Sequence, residues 1–277
     1  MVFYNHNYIQ DDALHLLPSN RAFKYGDGIF ESCLLNEGAL PLMAYHTTRL
    51  MQGMQCLHMD ALPHLSEKWL GDVIKELALQ HGYQSARAKI SVWRGGEGLY
   101  LPKSDSPELL IEVFPLHSTP FSEAPQQYVI DIYDGLQKAI HPVSACKTMN
   151  ALPYILAAKF AASHKWNDVL ILNTQNEIAD AISSNVWLIK DHMLITTPAL
   201  NGGVEGTMQA WLLDHVEELG FSASRKSLTI SDVESADAVF LTNAIKGIIP
   251  VTRFREKAFT NNLPLALLRD VKTLLFA

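Results

Sequence analysis

Apolar positions between Tyr45 and His58, and again between Leu65 and His81, recur every three or four residues, and this spacing predicts two amphipathic helices. The pattern then changes period. "ARAKISVWR" (86–94) and "ELLIEVFPL" (108–116) alternate or run apolar, as strands do, and "YVIDIYDG" (128–135) does the same. A third helix is predicted with Leu152, Ile155, Leu156 and Phe160 on one face. Five more strands follow. "DVLILN" (168–173) ends in the turn "TQNE", and "VWLIK" (186–190) is joined to "MLITTP" (193–198) by a tight turn at Asp191-His192. "AVFLTNAI" (238–245) is followed by "GIIPVTRF" (247–254). A Gly-rich loop, "ALNGGVEGTM" (199–208), opens a helix predicted to end near Gly220, and the chain closes on a last helix. Helices and strands mix without a regular βαβ alternation, which predicts an α+β fold.

At 277 residues and 48% hydrophobic, the chain suffices for one large or two modest domains. "HSTPFSEAPQQ" is poor in apolar residues and carries two prolines, so it marks a linker. The expected division is a small N-terminal α+β domain over 1–117, a linker over 118–127 and a larger C-terminal α+β domain over 128–277. A net charge of −7 argues against a nucleic-acid partner. Cys33, Cys56 and Cys146 have no paired spacing and the eleven histidines no metal-binding spacing, so the expectation is reduced thiols and no metal. The start lacks the basic and apolar regions of a signal peptide, and no apolar run reaches the roughly 18 residues of a membrane span. A cytoplasmic protein is expected.

Three features are candidates for chemistry. Lys147 lies just before the third helix among small and apolar residues. It is either a solvated lysine or, since cations are disfavoured at a helix N-terminus, a lysine kept there for carbonyl chemistry. The glycines of "NGGVEGTM" leave helix N–H groups open to a phosphate, with a flexible loop as the bland alternative. Arg49 falls within the first helix, and a guanidinium fork paired with a helix end makes a good phosphate clamp. "NEIADAISSN" adds two carboxylates, Glu177 and Asp180. A lysine for a carbonyl, an acid for a ring nitrogen and a clamp for a phosphate together describe pyridoxal phosphate.

The same residues resemble the class IV aminotransferases, the fold-type IV pyridoxal-phosphate enzymes, over nearly the whole chain. "NRAFKYGDGIFES" is similar to the family's N-terminal signature, and "HTTRL" to the motif whose arginine, here Arg49, holds the phosphate. "KTMN" resembles the motif of the Schiff-base lysine, here Lys147. "GVEGTM" resembles the phosphate loop, with the amides of Thr207 and Met208 at the phosphate, and "LTNAIKGIIPV" the late hairpin, which implies Thr242 and Asn243 near the phosphate as cofactor-binding residues. The resemblance implies a two-domain fold with the cofactor between the domains, and a homodimer. The family's ring-nitrogen acid is a glutamate five residues before an asparagine; counting back from Asn185 gives Asp180, one methylene shorter, and leaves Glu177 at the exposed end of a turn. The arginine with which D-amino-acid enzymes hold a carboxylate aligns with Leu99, and a late phosphate threonine with Ala244. Phe30, Tyr25 and Tyr100 are candidate pocket walls. The implied function is 4-amino-4-deoxychorismate lyase, releasing pyruvate and forming 4-aminobenzoate. The alternatives are a branched-chain type aminotransferase using 2-oxoglutarate and a non-catalytic ligand-binding relative.

Overall fold

The computed structural model describes residues 1–122 and 127–277, so the middle of the expected linker, residues 123–126, lies outside the described residues. Two compact units emerge: residues 1–118 with 146–150, and residues 119–145 with 151–277.

The first unit contains β1 (Val2–Tyr4), β2 (Asn7–Ile9), β3 (Gly28–Leu35), β4 (Ala86–Arg94) and β5 (Pro107–Pro115), and the helices α1 (Arg21–Tyr25), α2 (Met43–Cys56) and α3 (Glu67–Gln80). Its strands form one antiparallel sheet in the order β2-β1-β5-β4-β3. Ser66 caps α3 by accepting the Trp69 N–H, and Glu67 complements the positive end of the helix dipole. Leu70, Val73, Ile74 and Leu77 then share one buried face, joined in the core by Leu50 and Met54 of α2 and by Ile90 and Ile111 of the sheet. Lys147, expected in the C-terminal domain, groups with this unit for a backbone reason. The Phe30 N–H donates to Lys147 O and the Met149 N–H to Gly28 O, both at 2.9 Å, so residues 147–149 run antiparallel beside the start of β3. Gly28 permits this approach: a Cβ there would stand 2.7 Å from Val92 O and 2.8 Å from Met149 Sδ.

The second unit adds β6 (Val129–Lys138), α4 (Leu152–Ser163), β7 (Asp168–Asn173), β8 (Ile178–Ala181), β9 (Asn185–Lys190), β10 (Met193–Thr196), α5 (Thr207–Asp214), β11 (Ser222–Arg225), α6 (Ile230–Ser235), β12 (Ala238–Asn243), β13 (Gly247–Val251), β14 (Arg253–Phe254), β15 (Lys257–Ala258) and α7 (Asn262–Phe276). Among the described residues these strands make two five-stranded sheets, β11-β10-β9-β12-β13 and β15-β14-β6-β7-β8. Ile130, Leu170 and Ile178 of one meet Val186, Leu188 and Val239 of the other in a shared core. The expected turn at Asp191-His192 is present, with φ of 49° and 64°, the left-handed pair that matches strand twist in a two-residue hairpin.

Two further expectations change, and one strand is added to the reading. The helix opened by the Gly-rich loop stops at Asp214 rather than near Gly220. "IADA" is a buried strand, β8, too short to read as one. Finally, α4 does not bury the face of Leu152, Ile155 and Leu156. Ala157 and Ala161 face the core beside Tyr133, Val169 and Ile171, because small side chains let the helix sit close on its sheet, and the leucines and isoleucine stay exposed.

Candidate active site

In the first unit the chemistry gathers around β3. Phe30 and Glu31 are neighbours on that strand, and α2 carries His46 and Arg49 one turn apart on the same face. Glu31 is fully buried. Its Oε1 accepts from Arg49 Nε at 2.7 Å, and its Oε2 accepts from His46 Nδ1 at 2.7 Å and from Arg49 Nη2. Burial alone would raise the Glu31 carboxyl. The charge and hydrogen bonds of Arg49, helped by His46, outweigh it and hold the group at about 2. His46 moves down, chiefly by burial, against the pull of Glu31. Because an ionised Glu31 only accepts, Nδ1 carries the His46 proton and Nε2 is left with a bare lone pair. That Nε2 is buried without a partner among the described residues. Lys147 is half-buried, its Nζ 4.6 Å from the centre of the Phe30 ring, and its charge is felt at His46. Phe30, His46, Glu31, Arg49 and Lys147 therefore form one cluster.

Tyr25 and Tyr100 meet each other instead, with ring centres 5.8 Å apart and Arg21 over Tyr25. Tyr100 is 91% exposed, and Leu99 beside it is exposed as well.

In the second unit the centre is Asp180, buried on β8. Lys138 Nζ donates to its Oδ2 at 2.9 Å, the Tyr154 hydroxyl at 2.7 Å and the Val204 N–H at 2.9 Å. Asn185 ties the loop down by donating to Val204 O at 2.8 Å. The glycines of that loop are required by contact. A Cβ on Gly203 would stand 2.3 Å from Ala179 O, and one on Gly206 only 1.7 Å from Asn185 Oδ1. Gly206 is the N-cap of α5 and has no side chain to offer the first-turn N–H groups, so those of Thr207 and Met208 are suited to an anion. Gln209 anchors the turn through Thr196 Oγ1 at 2.8 Å. Behind Asp180, Asp168 Oδ1 accepts the N–H of Ile182 at 2.9 Å and of Val169 at 2.8 Å, which holds the turn after β8.

The other predicted polar residues have local partners. Thr242 is fully buried and its Oγ1 accepts the Trp187 indole N–H at 3.0 Å. Asn243 donates to Ser184 Oγ and accepts from the N–H groups of Ile245 and Lys246. Glu177 is not at an exposed end: it is half-buried and its Oε2 accepts from Asn201 at 3.1 Å. Glu31, Lys138 and Tyr154 escaped the sequence reading. Glu31 and its partner Arg49 both lie within quoted motifs, so their shared helix-strand contact was the one available signal. Lys138 at a strand end carries none.

The family model "Amino-transferase class IV" matches residues 28–254, and the chain belongs to that family. It is a pyridoxal-phosphate enzyme of the lyase and aminotransferase class. It is 26% identical over 243 residues to an aminodeoxychorismate lyase of Vibrio harveyi, covering 86% of this chain and 87% of that one. Its fold matches the 4-amino-4-deoxychorismate lyase of Pseudomonas aeruginosa at a TM-score of 0.84 and 25% identity, covering 99% and 98% of the two chains. The branched-chain aminotransferase of Escherichia coli matches at 0.88 and 18% identity, over 99% and 94%, a likeness of fold.

The residues present suit the cofactor. The orphaned His46 Nε2 beside Arg49 and the glycine-opened end of α5 offer places for groups from outside the chain, and the donor set provides an amine, an acid and a cation.

Proposed function

We propose that the chain is a 4-amino-4-deoxychorismate lyase. The observation that carries the reading is Lys147, in a segment (147–149) pinned beside β3 by two backbone bonds, and grouped with Phe30, His46 and the Glu31–Arg49 pair. Lys147 would hold the cofactor's aldehyde carbon, Arg49 and the first-turn amides of Thr207 and Met208 its phosphate, and Asp180 its ring nitrogen. Thr242 and Asn243, at the end of β12, would stand near that phosphate. When bound, the cofactor supplies an electron sink for the bond cleaved at the carbon bearing the substrate amine. Once the substrate amine has displaced it, the freed Lys147 would act as general base there, taking the proton from that carbon. The ether bond to the enolpyruvyl group breaks, pyruvate leaves after taking up a proton, and the ring becomes aromatic. Phe30 packs against the lysine and excludes water on that side. Support for the lyase over a transaminase comes from the two lyase-named relatives and from Leu99, which stands where a carboxylate-binding arginine would be needed for D-amino acids.

The exposed Leu152, Ile155 and Leu156 of α4 support a homodimer that covers them. Cys33, Cys56 and Cys146 form no disulfide, which fits a reducing, cytoplasmic setting. No helix among the described residues is long and apolar enough to cross a membrane.

The deciding assay supplies aminodeoxychorismate and measures 4-aminobenzoate and pyruvate in equal amounts. Turnover of leucine with 2-oxoglutarate in the absence of 4-aminobenzoate would replace the lyase with the aminotransferase. Lys147→Ala is expected to abolish the visible absorption of the purified protein. A wild type that takes up no cofactor would leave only a ligand-binding role.

A further inference from the structure

Asp180 is gripped asymmetrically. All three of its close donors, Lys138 Nζ, the Tyr154 hydroxyl and the Val204 N–H, converge on Oδ2. Lys138 Nζ also donates to the Tyr154 oxygen and lies 4.8 Å from that ring, so lysine, tyrosine and aspartate close a triangle. Lys138 stands at the last position of β6 and Tyr154 in the first turn of α4, so two elements reach across to one carboxylate. Burial, followed by the negative charge of Asp180, drives the Tyr154 hydroxyl well up, and it stays a donor at any ordinary pH.

Oδ1 is treated differently. Asn185 Nδ2 reaches it at 3.4 Å, too long for a strong bond. Gly203 keeps the space beside it: a Cβ there would stand 3.2 Å from Oδ1. One oxygen is saturated and the other retains acceptor capacity. A buried lysine–aspartate staple that served folding alone would have no need of this division.

On the reading given above, we propose that Lys138 and Tyr154 are positioning residues that fix Asp180 through Oδ2 and so present Oδ1 to the ring nitrogen of the pyridine cofactor. An aspartate is a methylene shorter than glutamate and samples fewer placements; two donors from different elements set the one it adopts.

Two ligands separate this role from a structural one: pyridoxal phosphate, and its analogue with carbon in place of the ring nitrogen. Dissociation constants are measured by fluorescence quenching for wild type, Lys138→Gln and Tyr154→Phe. Wild type should prefer the natural cofactor. Each variant should lose about tenfold or more of that preference, the scale of one hydrogen bond to a charged group, while affinity for the analogue hardly moves. Equal weakening of both ligands, or no change in either, overturns the proposal. Tyr154→Phe keeps the ring packed and decides the matter if Lys138→Gln does not fold. A wild type that binds neither ligand overturns the functional reading, and this one with it, whereas normal wild-type binding with unchanged variants overturns this one alone.

Discussion

Asp168→Asn should make the protein more stable at neutral pH. Asp168 opens β7 and is 4% exposed, and burial lifts its carboxyl from 3.8 to about 6 despite the amide bonds from Ile182 and Val169. The folded chain therefore keeps this proton to a higher pH than the unfolded chain does. Between about pH 4 and about 6 the native state binds more protons, so stability falls as pH rises. A rise from 3.8 to about 6 corresponds to a penalty of about 3 kcal/mol, fully developed near pH 7. Asparagine carries no charge, and its Oδ1 can accept the same two N–H groups. Urea unfolding of wild type and variant in the same cofactor state, from about pH 4 to about pH 7, should show a gap that opens from near zero to about 3 kcal/mol in favour of the variant. Because the Ile182 bond survives, the turn behind Asp180 should hold and turnover should persist. Parallel stability curves across that range would refute the reasoning.

Glu31→Gln should act in the opposite sense. The Glu31 carboxyl sits at about 2 rather than 4.5, so its contribution is complete above about 4.5 and lost as pH falls toward 2. The variant leaves Arg49 without its buried counter-charge and should cost about 3–5 kcal/mol at neutral pH, with the deficit shrinking in acid denaturation curves below about pH 4.5. Sedimentation should find a dimer for wild type. Leu152→Glu combined with Ile155→Glu should weaken self-association at least about thirtyfold, as losing an interface anchor of about 2 kcal/mol would.

Legibility in the sequence followed the range of the interaction. The α3 cap at Ser66 and the hairpin at Asp191-His192 involve residues a few positions apart, and the pattern of types announces them. Lys147, Arg49 and Asp180 were legible as motif positions, Asp180 only because Asn185 supplied a register. What each touches was not. The partner of Asp180 is 42 residues away in Lys138, and Arg49 finds Glu31 eighteen residues back, through a helix packing on a strand. The α4 face failed for a different reason. Periodicity ranks positions by hydrophobicity, but close helix-sheet packing selected the alanines, leaving the larger side chains outside.

The backbone pairing of residues 147–149 with β3 bears on how the chain is made. The first unit comprises residues 1–118 and 146–150, so it is not a contiguous stretch of sequence. When synthesis has passed residue 118, β3 still lacks the strand-like segment that will lie beside it. That edge stays open until the lysine segment emerges, after β6 has been translated. The segment bearing Lys147 is thus the last piece of the first unit to arrive. A protein truncated at the apparent linker would end with an unpaired strand edge, a site for aggregation rather than an independent domain.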